Sequence, residues 1–218
     1  MGGPVHHLRT SAPPRPARRA RAPVARLTPA PPRRPQYQYR ILWICEPISD
    51  DFANQIVSIM LVLDSKSDKD MNFYIGCMEG ELTPTLAIYD TMQSVRSDVG
   101  CANISGAYGS AGFLLAAGAK GKRFMFENAT VMLHAPSGSV RGQASDILNE
   151  TKELLRQKDY MMERLALHTG QEYRKVERDL RRDRYFSAEM ARDYGIIDAI
   201  VFGKGQKSEK APAAAVEG

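Results

Sequence analysis

The sequence predicts an α/β fold built from parallel βαβ units. Apolar stretches of strand type alternate with helical patterns, and strands are expected at residues 41–45, 73–77, 99–104 and 131–134. Strand and helix repeat in units of about 30 residues, which favours parallel crossovers. With 43% hydrophobic and 25% charged residues, the 218-residue chain suits one globular domain with unstructured ends.

The first two helices are predicted from their starting residues. One is expected to begin at Ser49 or Asp50 and to end near Leu63, because the apolar residues between them recur at helical spacing. The other is expected to open with Thr83 as its N-cap and Pro84 at its first position, where the missing proline N–H is not needed.

The longest helical pattern runs from residue 143 to residue 167. Its apolar residues occupy two sides of the helix: Ile147, Leu154, Leu155, Met161, Met162, Leu165 and Ala166. A helix with a single apolar stripe facing the core would contain fewer apolar residues. In an isolated molecule, the additional apolar side chains would be exposed to solvent. The pattern predicts either a helix that lies against another subunit or an ordinary helix with a wide apolar stripe.

The N-terminal segment, residues 1–38, is predicted to be an organellar transit peptide or a disordered basic tail. Residues 1–36 contain nine of the 13 prolines and no long apolar core, and no acidic residue precedes Glu46. Nine arginines lie in residues 1–40, which contain no Asp, Glu or Lys, so the rest of the chain is acidic although the total charge is +5. The bulk charge therefore gives no reason to expect nucleic-acid binding.

Other features exclude several classes of site. Cys45, Cys77 and Cys101 lack metal-ligand spacing and are expected to be small buried residues, so no metal and no cofactor is predicted. The sequence has no phosphate-binding G-x-x-x-x-G-K-[ST] loop and no apolar run long enough to cross a membrane. The tail, residues 203–218, is expected to be disordered.

Three stretches carry the most specific signals: Gly-Ala-Tyr-Gly-Ser-Ala-Gly-Phe-Leu-Leu from residue 106, Val-Met-Leu-His-Ala-Pro from residue 131, and Glu-Arg-Asp-Leu-Arg-Arg-Asp-Arg from residue 177. Together they resemble the ClpP family of self-compartmentalising serine peptidases. The resemblance places the nucleophile at Gly109, the general base at His134 and the carboxylate at Asp183. A glycine has no side chain with which to attack, so the triad is degenerate.

A second departure affects the oxyanion hole. Active members of the family carry Ser-Pro-Gly-Gly after the second strand, where this chain has Cys-Met-Glu-Gly at residues 77–80. The resemblance assigns the two backbone donors to Gly80 and Ser110. Glu79 then brings a carboxylate next to the place where an oxyanion would develop, which opposes the largest catalytic contribution of such sites.

The resemblance implies a ClpP/crotonase-like spiral at residues 39–202, with a protruding handle helix at about 140–170. The sequence pattern most resembles that of the R-type (ClpR) subunits. This resemblance implies a non-catalytic structural subunit of a hetero-oligomeric, ATP-dependent Clp protease core. The implied location is the chloroplast stroma or another organelle matrix. The implied partners are paralogous ClpP and ClpR subunits in a double heptameric ring and a AAA+ Clp chaperone that binds the ATP. Neither nucleic acid nor a membrane is an expected partner.

Two alternatives remain open on the sequence. One is an active serine endopeptidase that uses Ser110 with His134 and Asp183, and the other is a crotonase-type acyl-CoA enzyme. If Gly109 opens a helix, Ser110 is rotated by about 100° and its hydroxyl is expected to point away from His134. Without a nucleophile, His134 and Asp183 are expected to form a hydrogen-bonded pair with a buried carboxylate that serves only the structure.

Overall fold

The computed structural model describes residues 37–136, 138 and 141–203, and helices and strands alternate along this part of the chain. In chain order the elements are β1 (Ile41–Ile44), α1 (Asp50–Lys66), β2 (Met71–Cys77), α2 (Leu82–Ser94), β3 (Val99–Tyr108), α3 (Ser110–Ala116), β4 (Arg123–Phe126), β5 (Thr130–Leu133), α4 (Ala144–Thr169), α5 (Tyr173–Asp179), β6 (Arg184–Phe186), α6 (Ala188–Tyr194) and β7 (Ala199–Val201). The predicted α/β fold is confirmed.

The seven strands form one sheet in the order β1-β2-β3-β4-β7, and these neighbours are all parallel. The long strand β3 has two partners on the same side. Residues 101–103 pair with β4, whereas residues 106–108 pair with β5. Strand β6 is antiparallel to β5. The end of β3 therefore lies beside the end of β5, and this junction builds the site.

The core is formed where the parallel strands are covered by helices. Phe73 of β2, Phe113 of α3 and Val131 of β5 are fully buried. In β2, every second residue from Met71 to Cys77 is buried, because successive side chains of a strand point to opposite faces. The short helix α3 is buried from Ala111 to Ala116, which explains its almost wholly apolar sequence.

The start of α1 is confirmed and that of α2 needs a correction. Ser49 is the N-cap of α1, and its hydroxyl oxygen accepts a hydrogen bond from the Phe52 N–H at 3.4 Å. Helix α2 begins two residues earlier than predicted, with Glu81 as its N-cap, so Thr83 is not a cap. Pro84 is third in the helix, where the N–H groups of the first turn have no helical partner and a proline costs little.

The three cysteines do not share one environment. Cys77 and Cys101 are buried as predicted, and burial raises the pKa of the Cys101 thiol to about 12. The same prediction is wrong for Cys45, which is exposed. It directly follows the edge strand β1, where Trp43 is also exposed and Leu42 and Ile44 are buried, so alternation along the strand places Cys45 on the outer face.

Helix α4 confirms the longest helix predicted from the sequence, and its two halves differ in burial. Met161, Met162 and Leu165 near its C-terminus are buried. Leu148 and Leu155, nearer its N-terminus, have 63% and 52% of their surface exposed. The second apolar side seen in the sequence is therefore not used by the core of this chain.

The predictions for the N-terminal segment and for the tail after Gly203 fall almost wholly outside the described residues. Within those residues, no helix is both long enough and apolar enough to span a membrane.

Candidate functional site

Gly109 forms a sharp turn between β3 and α3. Its φ of 52° and ψ of −112° lie in a region that side-chain-bearing residues rarely adopt and that glycine adopts without strain. Two backbone hydrogen bonds fix the turn: Gly109 N–H donates to Met132 O at 2.8 Å, and Phe113 N–H donates to Gly109 O at 3.1 Å. The turn thus has the geometry of a nucleophile elbow without a nucleophile.

His134 directly follows β5 and faces this turn. Its Nδ1 lies 2.8 Å from the backbone oxygen of Ala135. Because a carbonyl can only accept, Nδ1 carries the proton and Nε2 is left as an acceptor. A methyl group placed on Gly109 would lie 2.8 Å from that Nε2, so the ring occupies the space in front of position 109.

Asp183 stands opposite His134 but does not pair with it. Leu133 is the partner of Arg184 in the antiparallel ladder, so the next position in register would bring His134 beside Asp183. The ladder ends there, and Asp183 is exposed. The predicted hydrogen bond to a buried carboxylate is therefore wrong, because the imidazole Nδ1–H goes to the Ala135 carbonyl instead.

The segment before β6 is organised by a different carboxylate, Asp179. The Arg184 guanidinium lies 2.6 Å from it, and the Tyr194 hydroxyl donates to it at 3.3 Å. Ala135 N–H donates to Leu180 O at 2.8 Å, which joins the loop after His134 to the same segment. Asp179, and not Asp183, is therefore the carboxylate that holds this segment.

The Gly80 segment forms the opposite wall. Ile48 N–H donates to Glu79 O at 3.1 Å, and Glu81 N–H donates to Ile48 O at 2.9 Å. In an extended segment, the N–H and C=O of one residue point to one side and those of its neighbours to the other. The N–H and C=O of Gly80 therefore point away from Ile48 and towards Ser110.

Ser110 uses its hydroxyl to hold this wall. Its Oγ donates to Gly80 O at 3.0 Å, so the hydroxyl turns to the glycine segment and not to the histidine. The prediction that Ser110 points away from His134 agrees with this contact. Space between the two residues is tight, since a Cβ on Gly80 would approach the Ser110 Cβ to 3.1 Å.

Together these residues line a cleft of about 510 Å³ that contains Gly80, Gly109, Ser110 and His134. The rest of its lining is Pro47, Ile48, Ser49, Met78, Glu79, Glu81, Leu82, Tyr108, Pro136 and Met161. Both carboxylates, Glu79 and Glu81, are exposed. Among the residues that the structure describes, no three His, Cys, Asp or Glu side chains are grouped so that they could hold a metal ion.

Comparison with known families matches residues 34–204 to the family described as Clp protease. The chain belongs to the Clp protease family. It is 48% identical over 166 residues to the ATP-dependent Clp protease proteolytic subunit-related protein 2, chloroplastic, of Arabidopsis thaliana. That match covers 76% of this chain and 60% of the Arabidopsis protein, so the chain spans about three fifths of that relative.

A second relative is the ATP-dependent Clp protease proteolytic subunit of Oltmannsiellopsis viridis. It is 39% identical over 165 residues, which is 75% of this chain and 85% of the relative. The resemblance to the ClpP family, and in particular to its R-type members, is therefore confirmed. The parallel sheet with its covering helices agrees with the fold of this Clp family.

Sequence reasoning missed part of the cleft. Tyr108, which precedes the elbow, packs edge-on against Tyr185 with ring centroids 6.0 Å apart. Met161 reaches the cleft from the handle helix α4. Glu81 could have been found, because it is two residues from Glu79 in an extended segment and shares its face. The contribution of Met161 depends on how α4 packs, which no local pattern reveals.

Proposed function

We propose that this chain is a non-catalytic subunit of an ATP-dependent Clp protease core. The observation that carries the proposal is the elbow at Gly109, which keeps its backbone geometry and its facing histidine but presents no hydroxyl. In a serine peptidase, losing the nucleophile alone costs on the order of 10⁶ in kcat, about as much as losing the whole triad.

Two further features support inactivity. Asp183 is exposed and does not orient His134, whereas an active triad needs a carboxylate on the imidazole to stabilise the charge that forms. Glu79 adds a negative charge to the wall that would have to stabilise an oxyanion. A serine restored at position 109 would therefore meet a site with other parts missing.

The alternatives are less well supported. An endopeptidase that used Ser110 would need its hydroxyl within about 3 Å of a general base, whereas this hydroxyl donates to the Gly80 carbonyl. A crotonase-type acyl-CoA enzyme shares the general fold, but the family match and both relatives are of the Clp protease type.

The proposed assembly is a hetero-oligomeric double heptameric ring with paralogous ClpP and ClpR subunits, served by a AAA+ Clp chaperone that binds ATP. Exposed apolar residues in the first half of α4, such as Leu148 and Leu155, support subunit contacts through the handle. The chloroplastic relative supports location in the plastid, with the stroma as the proposed compartment.

Three assays on the full-length protein test this function together. A fluorophosphonate probe labels an activated serine, a fluorogenic peptide reports proteolysis, and a CoA thioester reports crotonase-type turnover. We expect no labelling and no turnover by this chain alone, and we expect it to co-purify with active paralogues in rings whose composition native mass spectrometry resolves. Labelling at Ser110, or turnover of the thioester, would establish one of the alternatives.

Removal of the N-terminal segment on import is part of the same proposal. N-terminal sequencing of the protein from its native source should give a start before Tyr39, with the basic segment largely removed. A native chain that starts at Met1 or Gly2 would contradict processing in an organelle.

A further inference from the structure

The cleft beside Gly109 contains one backbone N–H, that of Gly80, for which the described residues provide no acceptor. Glu79 and Glu81 use their backbone groups to bond Ile48, which leaves the N–H and C=O of Gly80 on the other edge. The C=O accepts a hydrogen bond from the Ser110 hydroxyl. Across the described part of the chain, no acceptor is hydrogen-bonded to the Gly80 N–H. A free N–H on an extended segment can donate a hydrogen bond to the main chain of a peptide that lies alongside it as another strand.

The cleft has the size of a ligand site and apolar walls. Its volume of about 510 Å³ falls within the range of small-molecule pockets, which is about 300–1,000 Å³. Apolar surface comes from Met78, Leu82, Pro136 and Met161. Met78 has 69% of its surface exposed and Met161 only 4%, so the apolar wall runs from the rim to the floor.

The two carboxylates of the cleft, Glu79 and Glu81, are negatively charged groups close to Gly80. Glu79 and Glu81 flank Gly80, are exposed, and lie on one face because they are two residues apart. Of the described residues that line the cleft, none is a lysine or an arginine. A cleft with one sign of charge and low-dielectric walls concentrates its field and attracts the opposite charge.

We propose that this cleft binds extended peptide segments that carry lysine or arginine, and holds them without cutting them. The Gly80 N–H donates a hydrogen bond to the main chain of the peptide. Glu79 and Glu81 cause the preference for a basic side chain. The proposal rests on the non-catalytic role proposed above. In a mixed ring, such a subunit retains basic segments of an unfolded substrate while neighbouring active subunits cut it.

The test measures binding of labelled peptides to the full-length chain by fluorescence anisotropy. Three peptides differ only at two central positions, which are both Lys, both Gln or both Glu. At low ionic strength we expect the Lys peptide to bind at least about tenfold more tightly than the Glu peptide, and the ratio to shrink as salt screens the charges.

Variants assign this preference to the cleft. Glu79→Gln with Glu81→Gln should abolish it, and Glu79→Lys with Glu81→Lys should invert it. Glu127→Gln is the matched control, because Glu127 is exposed and does not line the cleft. These residues are on the surface, so circular dichroism should show that every variant folds.

The remaining outcomes contradict either the proposed binding or the proposed non-catalytic function. Absence of binding, equal affinity for the three peptides, or a preference that survives in the Gln double variant would each refute the proposal. A loss of preference in Glu127→Gln would refute it as well, because net charge alone would then explain the binding. Cleavage of a bound peptide, seen by mass spectrometry, would instead contradict the non-catalytic function and leave the charge preference standing.

Discussion

Two pairs of a basic residue and a carboxylate lie at the ends of neighbouring strands in this fold. Only one of the two pairs is hydrogen-bonded. Arg123 at the start of β4 and Asp198 just before β7 are bound by two guanidinium contacts, at 2.6 and 3.0 Å. His134 after β5 and Asp183 before β6 occupy equivalent facing positions but are not hydrogen-bonded. The Arg123–Asp198 pair, which connects β4 to the segment before β7, is hydrogen-bonded. The His134–Asp183 pair, which a peptidase would need, is not.

Burial and further partners explain the difference. The Arg123 side chain is only 4% exposed and also donates to Ala116 O and His168 O, which joins the C-terminal ends of α3 and α4. Burial alone would raise the pKa of Asp198, but the hydrogen bonds and charge of Arg123, with backbone donors, outweigh it and lower that pKa. Asp183 lies in solvent, where such a contact would be worth little.

The largest expected effect comes from breaking the joined pair. Asp198→Asn leaves the buried Arg123 guanidinium without its counter-charge, and we expect the free energy of unfolding to fall by about 3–5 kcal/mol. Urea unfolding followed by circular dichroism measures the change. A loss below about 1 kcal/mol would show that this ion pair does not hold β4 against β7.

Replacing the elbow glycine tests the other region. Gly109→Ser should lower the free energy of unfolding by about 1–3 kcal/mol, because a side chain is strained at a φ of 52° and meets the His134 ring. We expect no peptidase activity, since Asp183 and Glu79 remain unsuited to catalysis. Gly109→Ala is the matched control and should be equally destabilised. Cleavage at the rate of an active paralogue would show that the hydroxyl was the only missing part.

Acid should lower the free energy of unfolding through His168, whose backbone oxygen accepts a hydrogen bond from Arg123. Burial, together with the positive charges of Arg123, Lys120 and Arg164, lowers the pKa of His168 to about 4 from its ordinary value of 6.5. The unfolded chain therefore takes up this proton first, so stability is full above about pH 6.5 and decreases as the pH falls towards 4. Allowing for partial exposure of the ring, we expect a loss of about 1–2 kcal/mol.

Urea unfolding at a series of pH values tests this acid sensitivity. His168→Gln should reduce it, because glutamine can still accept from the Tyr89 hydroxyl that lies 3.0 Å from Nε2 but does not titrate. The corresponding change at the site, His134→Gln, serves as the control. An unchanged acid sensitivity in His168→Gln would assign the effect to other groups.

The smallest effect is expected at Asp183. Because its side chain is exposed and has no hydrogen-bond partner among the described residues, Asp183→Asn should change the free energy of unfolding by less than about 0.5 kcal/mol. The same measurement on Asp198→Asn provides the contrast. A larger loss at position 183 would mean that the carboxylate supports the β5–β6 ladder after all.

Local patterns predicted the elements that depend on nearby residues. Helical spacing and the Ser49 cap located α1, and strand-type runs located β1, β2, β3 and β5, with ends that differ by a few residues. The family resemblance located Gly109, Ser110, His134 and Gly80, and the structure shows all four on one cleft. The helices and strands follow from side-chain periodicity and capping, which act within one or two turns of chain, whereas the cleft residues were implied by the resemblance.

The state of the site was decided by contacts between distant segments. His134 donates to the Ala135 carbonyl and not to Asp183, and in the segment that precedes β6 it is Asp179 that binds Arg184 and Tyr194. The sequence alone determined that no hydroxyl stands at position 109. Only the tertiary structure decided that the carboxylate is also disconnected, because a hydrogen bond depends on distance and burial and not on the presence of its two residues.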